Sequence, residues 1–369
     1  VRNLRFDLAQ PSDDAELRRL LRETPMEGRI RIALTREPDC FLAATIEGGI
    51  HQVIVARDRA SDRLLGMGSR SVSDAWINGV RARLGYLSQL RVHPTARGRP
   101  TTIKTGYAKL KELHRDGATP FYVTTIIEDN LPARRLLEAG IQGLPIYRPL
   151  SSLVTLVLPV TGKRRAASGP SASRCGPGDL EEIVECLQRY GARYQFAPHW
   201  TRDGLVSPER TRGLRTEDFY GARSAGRLVG CLARWDQRAF KQSVVVGYDR
   251  TLGLLRPWIN LAGPLLRTPR LPPPGEKIRS AFVSHLAVDE DDPEVLLTLL
   301  TKAYNDAARD GLDYLMLGLT ERHPLLPVVR KRFRFREYVS IIYVVHWEDG
   351  SSAVDALDDR VPHLEVAVL

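Results

Sequence analysis

Residues 86–140 read YLSQLRVHPTARGRPTTIKTGYAKLKELHRDGATPFYVTTIIEDNLPARRLLEAG, and the order of elements in them decides the fold. Leu87, Gln89 and Arg91 alternate with Ser88, Leu90 and Val92, a period-2 pattern that stops at Pro94. A basic turn, Arg97-Gly98-Arg99-Pro100-Thr101-Thr102, then leads into a helix with Ile103, Tyr107 and Leu110 on one face. Phe121 to Ile127 is a β-rich run, and a short helix is expected from about Pro132 to Glu138. A strand entering a helix through a basic turn suits an anion. First-turn N–H groups have no partner inside the helix, and the helix dipole adds partial positive charge there. On the turn alone, a solvated basic loop on an ordinary βαβ unit is the simpler reading.

Working outward, Leu4 to Leu8 alternates as an opening strand, and Ser12-Asp13-Asp14 caps a helix with Ala15, Leu17, Leu20 and Leu21 as its apolar face. Phe41 to Thr45 and His51 to Ala56 read as strands around a Gly48-Gly49 turn, and Leu64 to Ser69 and Val80 to Leu84 continue the meander. Ile146 to Arg148 and Leu153 to Leu158 are expected to close this first sheet. The stretch 159–178, PVTGKRRAASGPSASRCGPG, has linker composition and no apolar period. The pattern then restarts. Asp179 caps a helix, Phe219 to Arg223 and Leu228 to Ala233 read as strands, and Arg256 to Gly275 is proline-rich and loop-like. Phe282 to Val288 echoes Leu87 to Val92. A helix striped by Leu296, Leu300, Ala303 and Ala307 follows, then strands at Tyr314 to Leu319 and Val339 to His346. The elements recur at a period of roughly 190 residues, a tandem repeat.

The stretch 86–140 resembles the core of the GCN5-related N-acetyltransferase superfamily. The matching residues are Leu90-Arg91-Val92-His93-Pro94, Arg97-Gly98-Arg99, and the helix that begins at Asn130 and runs through Ala133 and Leu136 to Glu138. The resemblance implies an α+β (mixed α/β) fold of two tandem acetyltransferase-like domains, each a mixed, mostly antiparallel sheet flanked by helices. The expected boundaries are 1–160, a linker at 161–178, a degenerate second domain at 179–350, and a tail at 351–369. It further implies acetyl-CoA or another acyl-CoA as co-substrate, with no metal. Leu90, Arg91 and Val92 would hold the pantetheine arm and acyl carbonyl, Arg97, Gly98, Arg99, Thr101 and Thr102 the pyrophosphate, and Asn130 would face the cofactor. Met26 to Arg31 would lie on the acceptor side. This sequence departs from the family pattern at Pro100, where the family has Gly, at Thr102, where it has Gly or Ala, and at Leu137, where many members carry a tyrosine that protonates the leaving thiolate. The second half has Asp289-Glu290-Asp291-Asp292 at the matching turn, which repels a pyrophosphate and suits a helix cap.

Composition bounds the remaining choices. The chain has 369 residues, 43% of them hydrophobic, and a formal net charge of +10, which favours an acidic partner without naming it. Its four cysteines form no Cys-x-x-Cys pair and no zinc spacing, and neither a nucleotide P-loop nor a Gly-x-Ser-x-Gly elbow occurs. No apolar run reaches the roughly 18–20 residues of a membrane span. A cytoplasmic protein with no membrane partner is expected, with nucleic acid the lesser of the acidic candidates. No catalytic base stands out; Tyr86, Ser88 and Gln89 occupy the strand where family members often place a glutamate. Two functions follow. One is acyl-CoA-dependent N-acyl transfer to a primary amine of unknown identity, acetyl transfer first among the options. The other is a non-catalytic binding protein of degenerate domains that engages protein or nucleic acid through a basic surface.

Overall fold

A computed structural model describes residues 4–97, 100–165, 167–266 and 268–369. The first half runs β1 (Leu4–Leu8), α1 (Asp14–Glu23), β2 (Ile30–Thr35), α2 (Cys40–Ala44), β3 (Ile50–Asp58), β4 (Leu64–Ile77), β5 (Val80–Val92), α3 (Pro100–His114), β6 (Tyr122–Ile127), α4 (Leu131–Glu138) and β7 (Ile146–Pro159). The second half runs β8 (Ala172–Arg174), α5 (Leu180–Gly191), α6 (Arg202–Val206), β9 (Phe219–Ser224), β10 (Arg227–Trp235), β11 (Gln242–Tyr248), α7 (Arg250–Leu266), β12 (Ser280–Val288), α8 (Pro293–Arg309), β13 (Tyr314–Thr320), α9 (Leu326–Arg332), β14 (Arg336–His346) and α10 (Ser351–Asp355). The fold is mixed α/β, as the sequence implies.

Among the described residues, twelve strands form one sheet in the order β1-β3-β4-β5-β6-β14-β7-β13-β12-β10-β9-β8, and β2 and β11 form a separate antiparallel ribbon between the halves. The closing strands are exchanged. β7 does not return to β6 of its own half. It pairs antiparallel with β13 of the second half, while β14 pairs with β6 of the first. β14 pairs along its whole length with residues 146–157 of β7, so the two sheets become one. The burial pattern drives this arrangement: Val154, Leu156 and Leu158 of β7 are fully buried in the cluster that holds α8.

The two long helices expected from their stripes behave as amphipathic helices should. Leu17 and Leu20 of α1, and Leu296, Leu300, Ala303 and Ala307 of α8, are fully buried. Four local readings are corrected. Residues 41–45 are helical, because Asp39 accepts from Leu42 N (2.9 Å) and starts α2. The loop-like stretch from Arg256 is largely the helix α7, started by Asp249, which accepts from Leu252 N (2.6 Å). The described part of the linker at 159–178 is tied to the second half: Val160 N donates to Asp313 O (2.8 Å), Arg164 N to Asn305 Oδ1 (2.7 Å), and Ala172–Arg174 adds an edge strand to β9. The last residues are no loose tail, since Val354, His363, Leu364, Glu365 and Ala367 are buried.

Candidate functional site

β5 and β6 are parallel and paired only at Gly85↔Tyr122 and Tyr86↔Val123. Gly85 is required where they touch, since a Cβ there would lie 2.2 Å from the Tyr122 ring and 2.8 Å from Thr119 Cγ2. Beyond this contact the backbones diverge. Side chains bridge the gap: Thr124 Oγ1 donates to Leu87 O (2.7 Å), and Tyr86 Oη meets Thr125 Oγ1 (2.9 Å). Just past the opening, Gln89 adopts φ 54° and the β4–β5 register slips between Met67 and Ser69. This is a bulge, which re-aims side chains and breaks the ladder.

On the α3 face of the sheet, the bulge opens onto a cavity of about 90 Å³. Its walls are apolar, with Phe6, Ile54, Leu87, Leu90, Ile103 and Tyr107 prominent. Arg91, Val92 and the buried Thr102 also line it, so its rim reaches the first turn of α3. Adjacent strand residues point to opposite faces. Leu87 packs with Tyr107 and Leu110 of α3, whereas Ser88 points the other way.

That other face carries a buried charged cluster. Ser88 Oγ and Ser71 Oγ each donate to Glu47 Oε2 (3.3 Å), and Ser69 Oγ meets Ser88 Oγ at 2.7 Å. Glu47 is fully buried and ion-pairs with Arg36. Burial opposes its charge, but its cationic neighbours, Arg36 foremost and Lys241, outweigh that and hold the carboxyl below its ordinary range. His51 lies beside it, with Nδ1 3.6 Å from Glu47 Oε2 and 2.9 Å from Ser71 Oγ. Its Nε2 is buried with no hydrogen-bond partner among the described residues. Burial holds His51 below its usual value despite Glu47, so the ring is neutral at pH 7. Lys241 donates to Leu369 O (2.8 Å), and burial, reinforced by Arg36, pushes it down to about 8. Ser69 and Ser88 belong both to the cavity wall and to this cluster, so apolar space and buried charge meet at the bulge.

Among the residues anticipated from sequence, Leu90, Arg91, Val92 and Thr102 line the cavity together. Arg97 is exposed and its Nε donates back to Val92 O (3.1 Å). Gly98 and Arg99, and the side chain of Thr101, lie outside the described residues. Asn130 caps α4, accepting from Ala133 N (3.4 Å), and is exposed. Leu137 is buried with Tyr107, Tyr147 and Tyr343.

The second half repeats the geometry and fills it. His285 has φ 50° at the position matching Gln89, the β10–β12 register slips there, and β12 pairs with β13 over only three residues before the two diverge. The chain's own last segment occupies that opening. His285 N donates to Glu365 Oε2 (2.6 Å), Thr320 Oγ1 donates to Pro362 O (2.7 Å), and Val366 lies where a Cβ on Gly318 would clash at 2.1 Å. The acidic turn is also spoken for: Asp289 and Asp291 pair with Arg189 and Arg193, and Asp292 caps α8. No metal-binding group of side chains occurs among the described residues.

By sequence, neither a known family description nor a curated protein matches the chain. Solved structures do match in shape. N-myristoyltransferase from Saccharomyces cerevisiae with bound myristoyl-CoA aligns at TM-score 0.60 and 12% identity, covering 94% of this chain and 83% of that one. A GCN5-related N-acetyltransferase from Sphaerobacter thermophilus aligns at TM-score 0.56 and 13% identity, covering 92% and 95%. The chain has the GCN5-related N-acetyltransferase fold, in tandem. In that frame the residues sequence reasoning missed are Arg36, Glu47, His51 and Lys241. Glu47 and His51 lie four residues apart, a spacing that passes unnoticed between a turn and a strand, while Arg36 and Lys241 come from segments far from each other in sequence. Only the buried charge itself, visible once folded, marks them.

Proposed function

We propose that this protein is an acyl-CoA-dependent N-acyltransferase with its site in the first half. The observation that carries the reading is the meeting, at the β5 bulge, of an apolar cavity with a buried Glu–His pair. In this reading the coenzyme's pyrophosphate lies at the start of α3 beside Arg97, and its pantetheine arm runs into the gap between β5 and β6. The thioester carbonyl reaches the bulge at Ser88. The acyl chain turns into the cavity, which exceeds the ~10–15 Å³ that one water needs and is below the ~150 Å³ that admits benzene. That favours an acyl group of a few carbons, with acetyl the smallest acceptable member.

The amine approaches from the opposite face. Its nitrogen attacks the carbonyl, the C–N bond forms, the C–S bond breaks, and the coenzyme leaves as thiolate. The neutral His51 takes the proton released from the amine through its unpartnered Nε2, and the Glu47 carboxylate stabilises the resulting imidazolium. The test measures free thiol release from acetyl-, butyryl- and hexanoyl-CoA with a panel of primary amines. His51→Gln is expected to lower kcat by about 10²-fold or more while coenzyme affinity stays within twofold. Absence of binding to any acyl-CoA at millimolar concentration overturns the reading.

A further inference from the structure

Helix α7 is anchored on its inward side by two polar residues, Arg256 and Asn260, beside Leu252 and Ile259. Arg256 Nε (3.1 Å) and Asn260 Nδ2 (3.0 Å) donate to Leu271 O, and Asn260 Oδ1 accepts from Leu271 N (2.8 Å). The returning strap is held further by Tyr248, whose hydroxyl donates to Pro272 O (2.5 Å). Polar contacts thus fix the helix to the protein.

The apolar side faces out. Leu254, Trp258, Leu261 and Leu265 follow one another at intervals of four, three and four residues, which places them in one stripe along the helix. They are 74, 68, 75 and 88% exposed, the four most exposed large hydrophobic side chains among the described residues. Leu255, 48% exposed, widens the stripe. A patch of this kind marks a contact surface. Its charge leans positive: residues 250–275 contain Arg250, Arg256, Arg267 and Arg270 and no Asp or Glu, and the next acid after them is Glu276. The nearest acid before it, Asp249, is engaged with Arg29 (3.1 Å) and with the helix start.

We propose that α7 is an interfacial helix by which the protein lies on an anionic lipid bilayer. Leucines and a tryptophan would enter the boundary between headgroups and acyl chains, and the exposed Arg250 and Arg270 would meet the lipid phosphates. A second copy of the chain suits the surface less, because packing two stripes together brings two sets of arginines side by side. The mode is attachment, not spanning: the helix has 17 residues, and no helix among the described residues is long and apolar enough to cross a membrane. The expectation of no membrane partner rested on the absence of a spanning segment, which does not bear on a helix lying flat. The inference does not depend on the proposed acyl transfer.

The experiment is co-sedimentation of the full chain with vesicles of phosphatidylcholine containing 30% phosphatidylglycerol, or of phosphatidylcholine alone, with Trp258 fluorescence quenching by shallow brominated lipid. Binding is expected with the anionic vesicles and should weaken in high salt. Leu254→Ser/Trp258→Ser/Leu261→Ser is expected to lose about tenfold or more in partitioning. Arg250→Gln/Arg270→Gln should lose about fivefold per charge on anionic vesicles alone. These side chains are exposed, and an unchanged melting temperature confirms that the variants fold. The proposal is overturned if the wild-type chain ignores anionic vesicles at millimolar lipid, or if the triple variant binds equally well. It is equally overturned if sedimentation velocity shows a dimer that the triple variant turns into a monomer, which would assign the stripe to self-association.

Discussion

Gly106 lies within α3, above the cavity, and substituting it should separate stability from ligand binding. A Cβ there would sit 3.4 and 3.9 Å from the Phe6 ring, a contact the ring edge accommodates by a small shift. Alanine also removes the helix penalty of glycine, about 1 kcal/mol. Gly106→Ala is therefore expected to raise the unfolding free energy by about 1 kcal/mol in urea titrations. Gly106→Leu sends three further carbons toward the same 90 Å³. An acyl chain entering apolar space gains about 0.8 kcal/mol per methylene, or roughly fourfold in affinity per carbon. Calorimetry with non-hydrolysable acyl-CoA analogues of two, four and six carbons reads this directly. The wild type should tighten by about sixteenfold from two to four carbons, Gly106→Leu should show no slope, and coenzyme A itself should bind both equally. A slope retained in Gly106→Leu, or none in the wild type, would refute the assignment of the cavity to the acyl chain.

Three further outcomes test the rest of the structure. Burial pushes Glu365 up from 4.5 to about 7. Its folded pKa is the higher one, so its contribution is complete below pH 4.5 and is lost as pH rises through 7, on the order of 3 kcal/mol in all; in Glu365→Gln the stability–pH curve should lose that fall. His285, His323 and His363 are held neutral by burial, each down to about 3. Their contribution is present above 6.5 and lost as pH falls toward 3, so chemical denaturation midpoints should drop steeply on that side, and an unchanged midpoint at pH 4.5 would contradict the burial. Arg36→Ala strands Glu47 and should destabilise by about 3–5 kcal/mol, whereas Arg36→Met/Glu47→Leu should recover most of that loss in thermal melts.

Much of the fold was legible because periodicity survives folding. The α1 and α8 stripes, the β5 alternation and the tandem echo at Ser284-His285 are local patterns, and each corresponds to an element in place. The exchange of β7 and β14 was not legible, since both strands read as closing strands and nothing local says which half they close. Helix α7 was hidden by Pro257, Pro264 and the run of prolines after it, and its stripe faces outward, contrary to the assumption that apolar periodicity marks the core. The cavity wall was partly legible through Leu90, Arg91, Val92 and Thr102, all in one stretch. Glu47 was not, because it became a candidate only when the fold placed it against Ser71 and Ser88.

The central claim is that the gap opening past Tyr86 and the cavity beside it receive a coenzyme A thioester. A crystal structure of the protein with desulfo-CoA tests this most directly. The account predicts the pantetheine arm between β5 and β6, its end within contact distance of Ser88, and the pyrophosphate at the start of α3. A coenzyme bound in the second half in place of residues 362–366, or lying on the surface with the β5–β6 opening empty, would contradict it.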